Sequence, residues 1–215
     1  RRTALYLTRG PAGDLLAQFQ PNLDRSYARA FDELGRKTRP GTLRVVDANT
    51  VLRWLNTPGL DPFLPVVAVI GEGANQGTVR PAGIGLLRGD RLVTFLDPPL
   101  DRALLVLRGE APPFPLVLSC RDSSNHPLPQ LVTLRVDRTQ SRVQMAAPAG
   151  RPRARVSMQL YAGVTEWECP QPMDLTTVGR LQEEANRRLY QEIHQVLDVF
   201  RRQGVDPLGF GAALH

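Results

Sequence analysis

Residues 66–77 read VVAVIGEGANQG, five apolar residues followed by Gly71, Gly73 and Gly77. A buried strand running into a glycine-rich turn is how a dinucleotide-binding βαβ unit begins, so this stretch decides between a parallel α/β fold and something else. The dinucleotide fingerprint needs its glycines to open a helix, whose N-terminus then holds the pyrophosphate. Here TVRPAGIGLLRGDRLVTFL follows, with Pro81 just ahead of the β-like GIGLL, and no amphipathic helix starts before residue 97. Three residues instead of two separate the second and third glycines, and no acidic residue ends a second strand at the usual distance. The glycines therefore read as a hairpin or loop connection, and no nucleotide cofactor is expected.

Downstream, GIGLLR and RLVTFL flank Gly89-Asp90, a two-residue connection of the kind that makes tight hairpins. Asp97-Pro98 reads as an N-cap followed by proline at the first helical position, opening the short helix PLDRALLVLRG. Upstream, TALYLT (3–8) reads as a strand and DLLAQ (14–18) as a short helix. Ala28, Phe31 and Leu34 share a helical face closed by Gly35, and TLRVV (42–46) reads as a short strand. DANT offers caps for a helix over VLRWLN, which Pro58-Gly59 stops. LDPFLP is extended, because the residue before each proline is pushed out of the α region.

Beyond the proline-rich joint APPFP (111–115) the texture changes. PLVLS, LVTLRVD, RVQMAA and RARVSMQLYAGV read as four strands of an antiparallel meander, the last alternating like a half-buried strand. One long helix follows, from about Asp174 to Gln203, with Leu181, Ala185, Leu189, Ile193, Val196, Leu197 and Phe200 on one stripe. Asp174 is its expected cap and Gly204 its stop. Glu183 and Glu184 precede Arg187 and Arg188 by four, the favourable order for exposed pairs. The expected fold class is α+β in two domains, each a mainly antiparallel or mixed sheet with packed helices. The first covers 1–110, with 1–18 a remnant of a preceding domain. The second covers 111–215, a four-stranded sheet under the long helix.

The net charge of +6 raises the possibility of a nucleic-acid or anionic-membrane partner. Lys37 is the only lysine, and the excess is spread: 15 basic against 11 acidic residues up to residue 110, then 12 against 10. The densest cluster, Arg151, Arg153 and Arg155 in RPRAR, has no aromatic neighbour for base stacking and is the candidate anionic-surface contact. Cys120 and Cys169 are too few for a disulfide framework and match no zinc spacing with His126. They read as two buried free thiols, with a single bridge the alternative in an oxidising compartment. LSCRDSSNHP (118–127) gathers Cys120, Asp122, Ser123, Ser124 and His126 but reads as a polar turn, since a nucleophile needs a positioned base and an oxyanion hole. His194 reads as a boundary residue of the long helix. No Walker loop, HExxH or Gly-x-Ser-x-Gly elbow occurs, and no run of about 18 apolar residues could span a bilayer. The sequence thus points away from an enzyme and predicts no metal.

The chain ends VFRRQGVDPLGFGAALH. A helix stop followed by Asp206, Gly209, Phe210 and Gly211 resembles the D-x-x-G-F-G-like ending of the C subunit of bacterial spore germinant receptors, the Ger(x)C lipoproteins, with Pro207 a departure inside the motif. PFLPVVAV (62–69), GIGLLRGDRLVTFLDPPLDRALLVLRGE (83–110) and ALYLTRGPAGDLLAQ (4–18) are similar to other pieces of that family in the same order. The resemblance implies a non-enzymatic accessory subunit working with integral-membrane A and B subunits. It further implies a lipid anchor on the outer face of the spore inner membrane, carried on a cysteine ahead of Arg1 along with a signal peptide and most of a first domain. It implies no nucleic acid; a basic nucleic-acid-binding module is the rival reading. The Asp206–Gly211 motif is expected either to tuck its ring into a pocket and end the helix against the sheet, or to serve as a docking tip for a partner.

Overall fold

The structure, a computed structural model, describes residues 3–18, 31, 45–70, 78–120, 130–146 and 152–214. In chain order its elements are β1 (Ala4–Leu5), α1 (Ala12–Gln18), β2 (Val46–Asp47), α2 (Ala48–Leu55), β3 (Phe63–Ile70), β4 (Thr78–Arg88), β5 (Arg91–Leu96), α3 (Leu100–Leu107), β6 (Phe114–Ser119), β7 (Leu131–Ala146), β8 (Arg153–Trp167) and α4 (Leu175–Gln203), closed by a 3-10 turn at Ala212–Leu214. Three antiparallel sheets and a long C-terminal helix make the fold α+β, as the sequence pattern predicts.

β3 and β4 pair antiparallel from Phe63↔Leu86 to Ile70↔Thr78, so the chain between them joins adjacent antiparallel strands and no βαβ unit forms. Gly71, Gly73 and Gly77 themselves lie outside the described residues, as do Ala28 and Leu34. β4 starts earlier than GIGLL and carries Pro81 within it, beside the register shift between Pro65 and Val67, where the missing N–H is tolerated. The Gly89-Asp90 hairpin forms as expected, closed by the Arg88↔Arg91 pair. Leu7 adds a parallel bridge to Val66, its N–H donating to the Pro65 carbonyl at 2.8 Å. Asp47 caps α2, accepting from the Thr50 N–H at 2.8 Å.

The expected start of α3 needs correction. Pro98-Pro99 is a cis peptide, the helix begins at Leu100, and its cap position is Pro99, with no side-chain bond. Asp97 still serves the helix, but through its carbonyl, which accepts from Leu100 N–H at 2.8 Å and Asp101 N–H at 3.3 Å. Its carboxylate turns instead to the Arg9 guanidinium.

α3 is the centre of the molecule. Ala103 to Leu107 are all buried, Leu104 and Val106 completely, at about 1.5–3 kcal/mol for each large apolar side chain so removed from water. One hydrophobic cluster runs through it from Val46 and Trp54, across β3–β5, to β6, β7 and the inner stripe of α4, and so carries residues from both sides of residue 110.

β6, β7 and β8 form a three-stranded sheet, which corrects the expected four. LVTLRVD and RVQMAA, as far as Ala146, are one 16-residue strand, β7, and Ala147 lies outside the described residues. The polar DRTQS that spans their junction resembles a loop in composition, yet Arg138 to Ser141 each pair with β8. The register passes from Val136↔Ala162 to Arg138↔Tyr161, leaving Asp137 as the extra residue of a bulge. Past the bulge, the hydroxyl oxygens of Thr139 and Ser141 are buried and find no hydrogen-bond partner among the described residues.

α4 runs 29 residues between the expected caps. The Asp174 carboxylate accepts from Thr177 N–H at 2.7 Å, a bond that holds its pKa below the usual carboxylate range. Gly204 ends the helix at φ +60°, where the Val205 N–H returns to the Phe200 carbonyl at 3.1 Å. Leu189, Ile193, Val196 and Phe200 are buried, and Leu181, Ala185 and Leu197 pack beside them. The expected i,i+4 ion pairs are replaced. Glu184 meets Arg187 at 3.1 Å, while Arg188 reaches Glu192 at 3.4 Å and the Val117 carbonyl of β6 at 2.6 Å. Glu192, 5% exposed, also takes two bonds from Arg102 of α3, at 2.8 and 2.7 Å, and these tie the two helices together.

Cys120 and Cys169 are bonded to each other, Cα to Cα 5.6 Å apart across 49 residues, so the free-thiol reading is overturned. The bridge joins the end of β6 to the segment between β8 and α4, a pairing that strand order creates and sequence spacing does not reveal. Replacing both cysteines by alanine is expected to lower stability by about 2–4 kcal/mol, read as a melting point about 5–15 °C lower that reductant lowers no further.

Asp101 lies 3% exposed at the start of α3, and burial lifts its pKa from 3.8 to about 6 against the opposing Arg102 N–H bond and charge. The folded state therefore holds the proton more tightly than the unfolded chain. Asp101 costs nothing at the acid end, and the cost grows as pH rises through about 4 to 6, reaching about 3 kcal/mol at neutrality. Asp101→Asn should consequently gain on the parent by about that amount between pH 4 and pH 7 in paired thermal melts.

Candidate functional site

α2 ends at Leu55, and the turn Thr57–Leu60 that follows meets the last residues of the chain. Gly59 has φ +74°, and a Cβ there would lie 2.5 Å from the Ala212 nitrogen and 2.5 Å from the Gly211 carbonyl carbon. A Cβ on Gly211 would in turn lie 3.0 Å from Gly59 Cα. Two stretches of main chain therefore touch with no room for side chains, and the Ala212 N–H donates to the Gly59 carbonyl at 3.1 Å.

Two aspartates lock this contact. The Asp61 N–H donates to the Asp206 carbonyl at 2.9 Å, and the Asp206 N–H donates to Asp61 Oδ2 at 2.7 Å. Asp61 Oδ1 accepts from Gly89 N–H at 3.2 Å at the tip of the β4–β5 hairpin. Asp206 Oδ2 accepts from Gly211 N–H at 2.7 Å and so folds the D-x-x-G-F-G segment onto itself. Arg108, just past α3, donates to the Pro207 carbonyl and pairs with Glu110 at 2.8 Å. Its guanidinium lies 5.4 Å from the Trp54 ring centroid and 5.1 Å from that of Phe63, two rings stacked 4.8 Å apart. Arg88 donates to the Gln203 carbonyl in the last turn of α4.

The structure thus brings Asp206, Gly209 and Gly211 of the motif into one knot. Leu208 packs against the core, whereas Phe210 is half-buried and stands outside that cluster. Gly59, Asp61 and Arg108, which complete the knot, carry no signal in the sequence beyond the helix-stopping Pro58-Gly59. Arg153 and Arg155 are exposed on β8, and Arg151 lies outside the described residues, as do the Asp122, Ser123, Ser124 and His126 of the polar turn. His194 is exposed on α4 with its ring 4.2 Å from that of Tyr190. Among the described residues no group of three or more His, Cys, Asp or Glu could hold a metal ion, and no helix is long and apolar enough to cross a membrane.

Comparison with known proteins places this geometry. Over 93% of its length the chain superposes on a solved structure, the crystal structure of the GerBC protein, with a TM-score of 0.59 and 17% identity, and it spans 54% of that chain. No curated protein matches the sequence. Residues 82–215 match the family model described as "Spore germination B3/ GerAC like, C-terminal". The match covers more than half of the chain and takes in α4 and the C-terminal side of the knot, Asp206 to Ala212, so the protein belongs to that spore germination family.

The knot should tolerate no side chain where its backbones touch. Gly59→Ala is expected to cost more than about 2 kcal/mol in denaturant unfolding, from the left-handed φ and the collision with main chain. Gly163→Ala, where a Cβ meets nothing within 4 Å, should change stability by less than about 0.5 kcal/mol.

Proposed function

We propose that this chain is part of a non-enzymatic, accessory subunit of a nutrient germinant receptor, working beside integral-membrane A and B subunits and held by a lipid anchor on the outer face of the spore inner membrane. The observation that carries the reading is the family match over 82–215, which includes the C-terminal motif. The bonded Cys120 and Cys169 support a location outside the reducing cytosol, where such bridges persist.

Within that reading the C-terminal knot docks a partner. Asp206, Gly209 and Gly211 are occupied in shaping the backbone, and the shape they make leaves Phe210 half-buried beside the core. An aromatic ring on a rigid backbone, partly dry and outside the core, is a ready anchor for a complementary pocket. Phe210→Ala tests this. The variant should melt within about 2 °C of the parent and fail to co-purify with the A and B subunits. Co-purification at parental levels would remove the docking role, and a melting point lowered by about 5 °C or more would assign the ring to stability instead.

A further inference from the structure

From Arg138 to Tyr161 the sequence holds five arginines and no acidic residue. β7 and β8 fold that stretch back on itself as a two-stranded ribbon, paired from Arg138↔Tyr161 to Ala146↔Arg153. Cross-strand partners share a face, and alternation then sorts the side chains. Arg138 and Arg142 of β7 stand on the same face as Arg153, Arg155 and Tyr161 of β8, and all five are exposed. Arg155 sits opposite Gln144 and Arg142 opposite Ser157. The cationic strip therefore steps from one strand to the other along about 27 Å of ribbon.

None of these four arginines has a carboxylate partner among the described residues, whereas Arg135, just beyond the bulge, is neutralised by Asp137 at 2.9 Å. The Arg138 guanidinium lies 5.8 Å from the centroid of the Tyr161 ring. On the opposite face Val156, Met158 and Leu160 pack against the core beside Thr139 and Ser141.

We infer that this ribbon is a docking surface for an anionic lipid bilayer. Charge complementarity selects a polyanion, because four arginines without carboxylate partners among the described residues are spread along about 27 Å of ribbon, too far for a single small anion to meet them all. The choice between lipid and nucleic acid rests on the rest of the ribbon. The strip's one ring, Tyr161, already faces the Arg138 guanidinium and is not free to stack on a base. A bilayer interface accepts both features of this face, with arginine at the phosphates and tyrosine at headgroup level. The inference deepens the membrane-side reading of the protein, on which it rests only for the preference of lipid over other polyanions. Its test uses purified lipid and needs neither the A nor the B subunit, so failure of receptor assembly and failure of lipid binding are separate results.

The experiment is co-sedimentation of the 215-residue chain with vesicles of phosphatidylcholine containing about one third phosphatidylglycerol, beside pure phosphatidylcholine vesicles and a double-stranded oligonucleotide. Binding is expected to the anionic vesicles alone and to fall steeply with salt. Each arginine near an anionic surface contributes about 1 kcal/mol, a factor of about five. The variant Arg138→Gln/Arg142→Gln/Arg153→Gln/Arg155→Gln should therefore partition at least about fiftyfold more weakly with its melting point unchanged. Arg201→Gln/Arg202→Gln, two exposed arginines at the end of α4, should lose less than about threefold. Equal losses in the two variants would reduce the effect to net charge and overturn the inference, as would oligonucleotide retention without vesicle binding. No vesicle binding by the parent chain would also overturn it.

Discussion

Asp61 and Asp206 exchange two hydrogen bonds, main chain to main chain at 2.9 Å and main chain to carboxylate at 2.7 Å, and the rest of the architecture depends on that exchange. α4 is long enough to carry the chain past the core, and without a return it would leave its last turn unpaired. Gly204 reverses the chain, Val205 is buried, and Asp206 is then delivered to the turn after α2. Because the remaining oxygen of Asp61 takes the Gly89 N–H, the same residue also fixes the hairpin tip of β4 and β5. One carboxylate thus ties the outgoing end of α4 to the hairpin of β4 and β5.

The two ends of α4 are secured by different chemistry. Just before its N-terminus the chain is bonded covalently to the end of β6, and past its C-terminus it is held by hydrogen bonds and backbone contact. Between them, Arg102 and Glu192 make a largely buried, bidentate pair with α3. Leaving either charge unpaired there would be costly, so the pair fixes the relative placement of the two helices more than it adds net stability. The matched family segment starts at residue 82, inside β4, yet the physical unit is larger. β4 pairs with β3, and the C-terminal knot uses Gly59 and Asp61, so the segment before residue 82 helps to shape the end of this chain.

Much of this was legible in sequence where one local rule applied without competition. The stripe from Leu181 to Phe200, with Asp174 before it and Gly204 after it, marked α4 to the residue. Gly89-Asp90 between two apolar runs marked the hairpin, and the sequence after VVAVIGEGANQG argued against a βαβ unit, in keeping with the antiparallel pairing of β3 and β4. The remainder was hidden because a distant partner decided it. DRTQS has loop composition, and it is the pairing with β8 that makes it strand. Asp97 has a cap's chemistry, but Arg9, from the other end of the chain's first 100 residues, takes its carboxylate. The cysteines, 49 residues apart, become neighbours only once β7 and β8 have carried the chain out and back. In the knot, Asp206 and the glycines were visible as a pattern, whereas Asp61 sat unmarked 145 residues away.

The position of that disulfide has a topological consequence. Its two ends enclose β7 and β8 entirely, so this part of the backbone is a closed ring sewn to the body of the protein at a single covalent point. A protease that cuts the chain once anywhere inside the ring releases no fragment: it turns a loop into two tails that share an anchor. Only a second cut, or a reductant, separates the pieces, and the exposed ribbon is therefore a part of the surface that can be nicked without being lost.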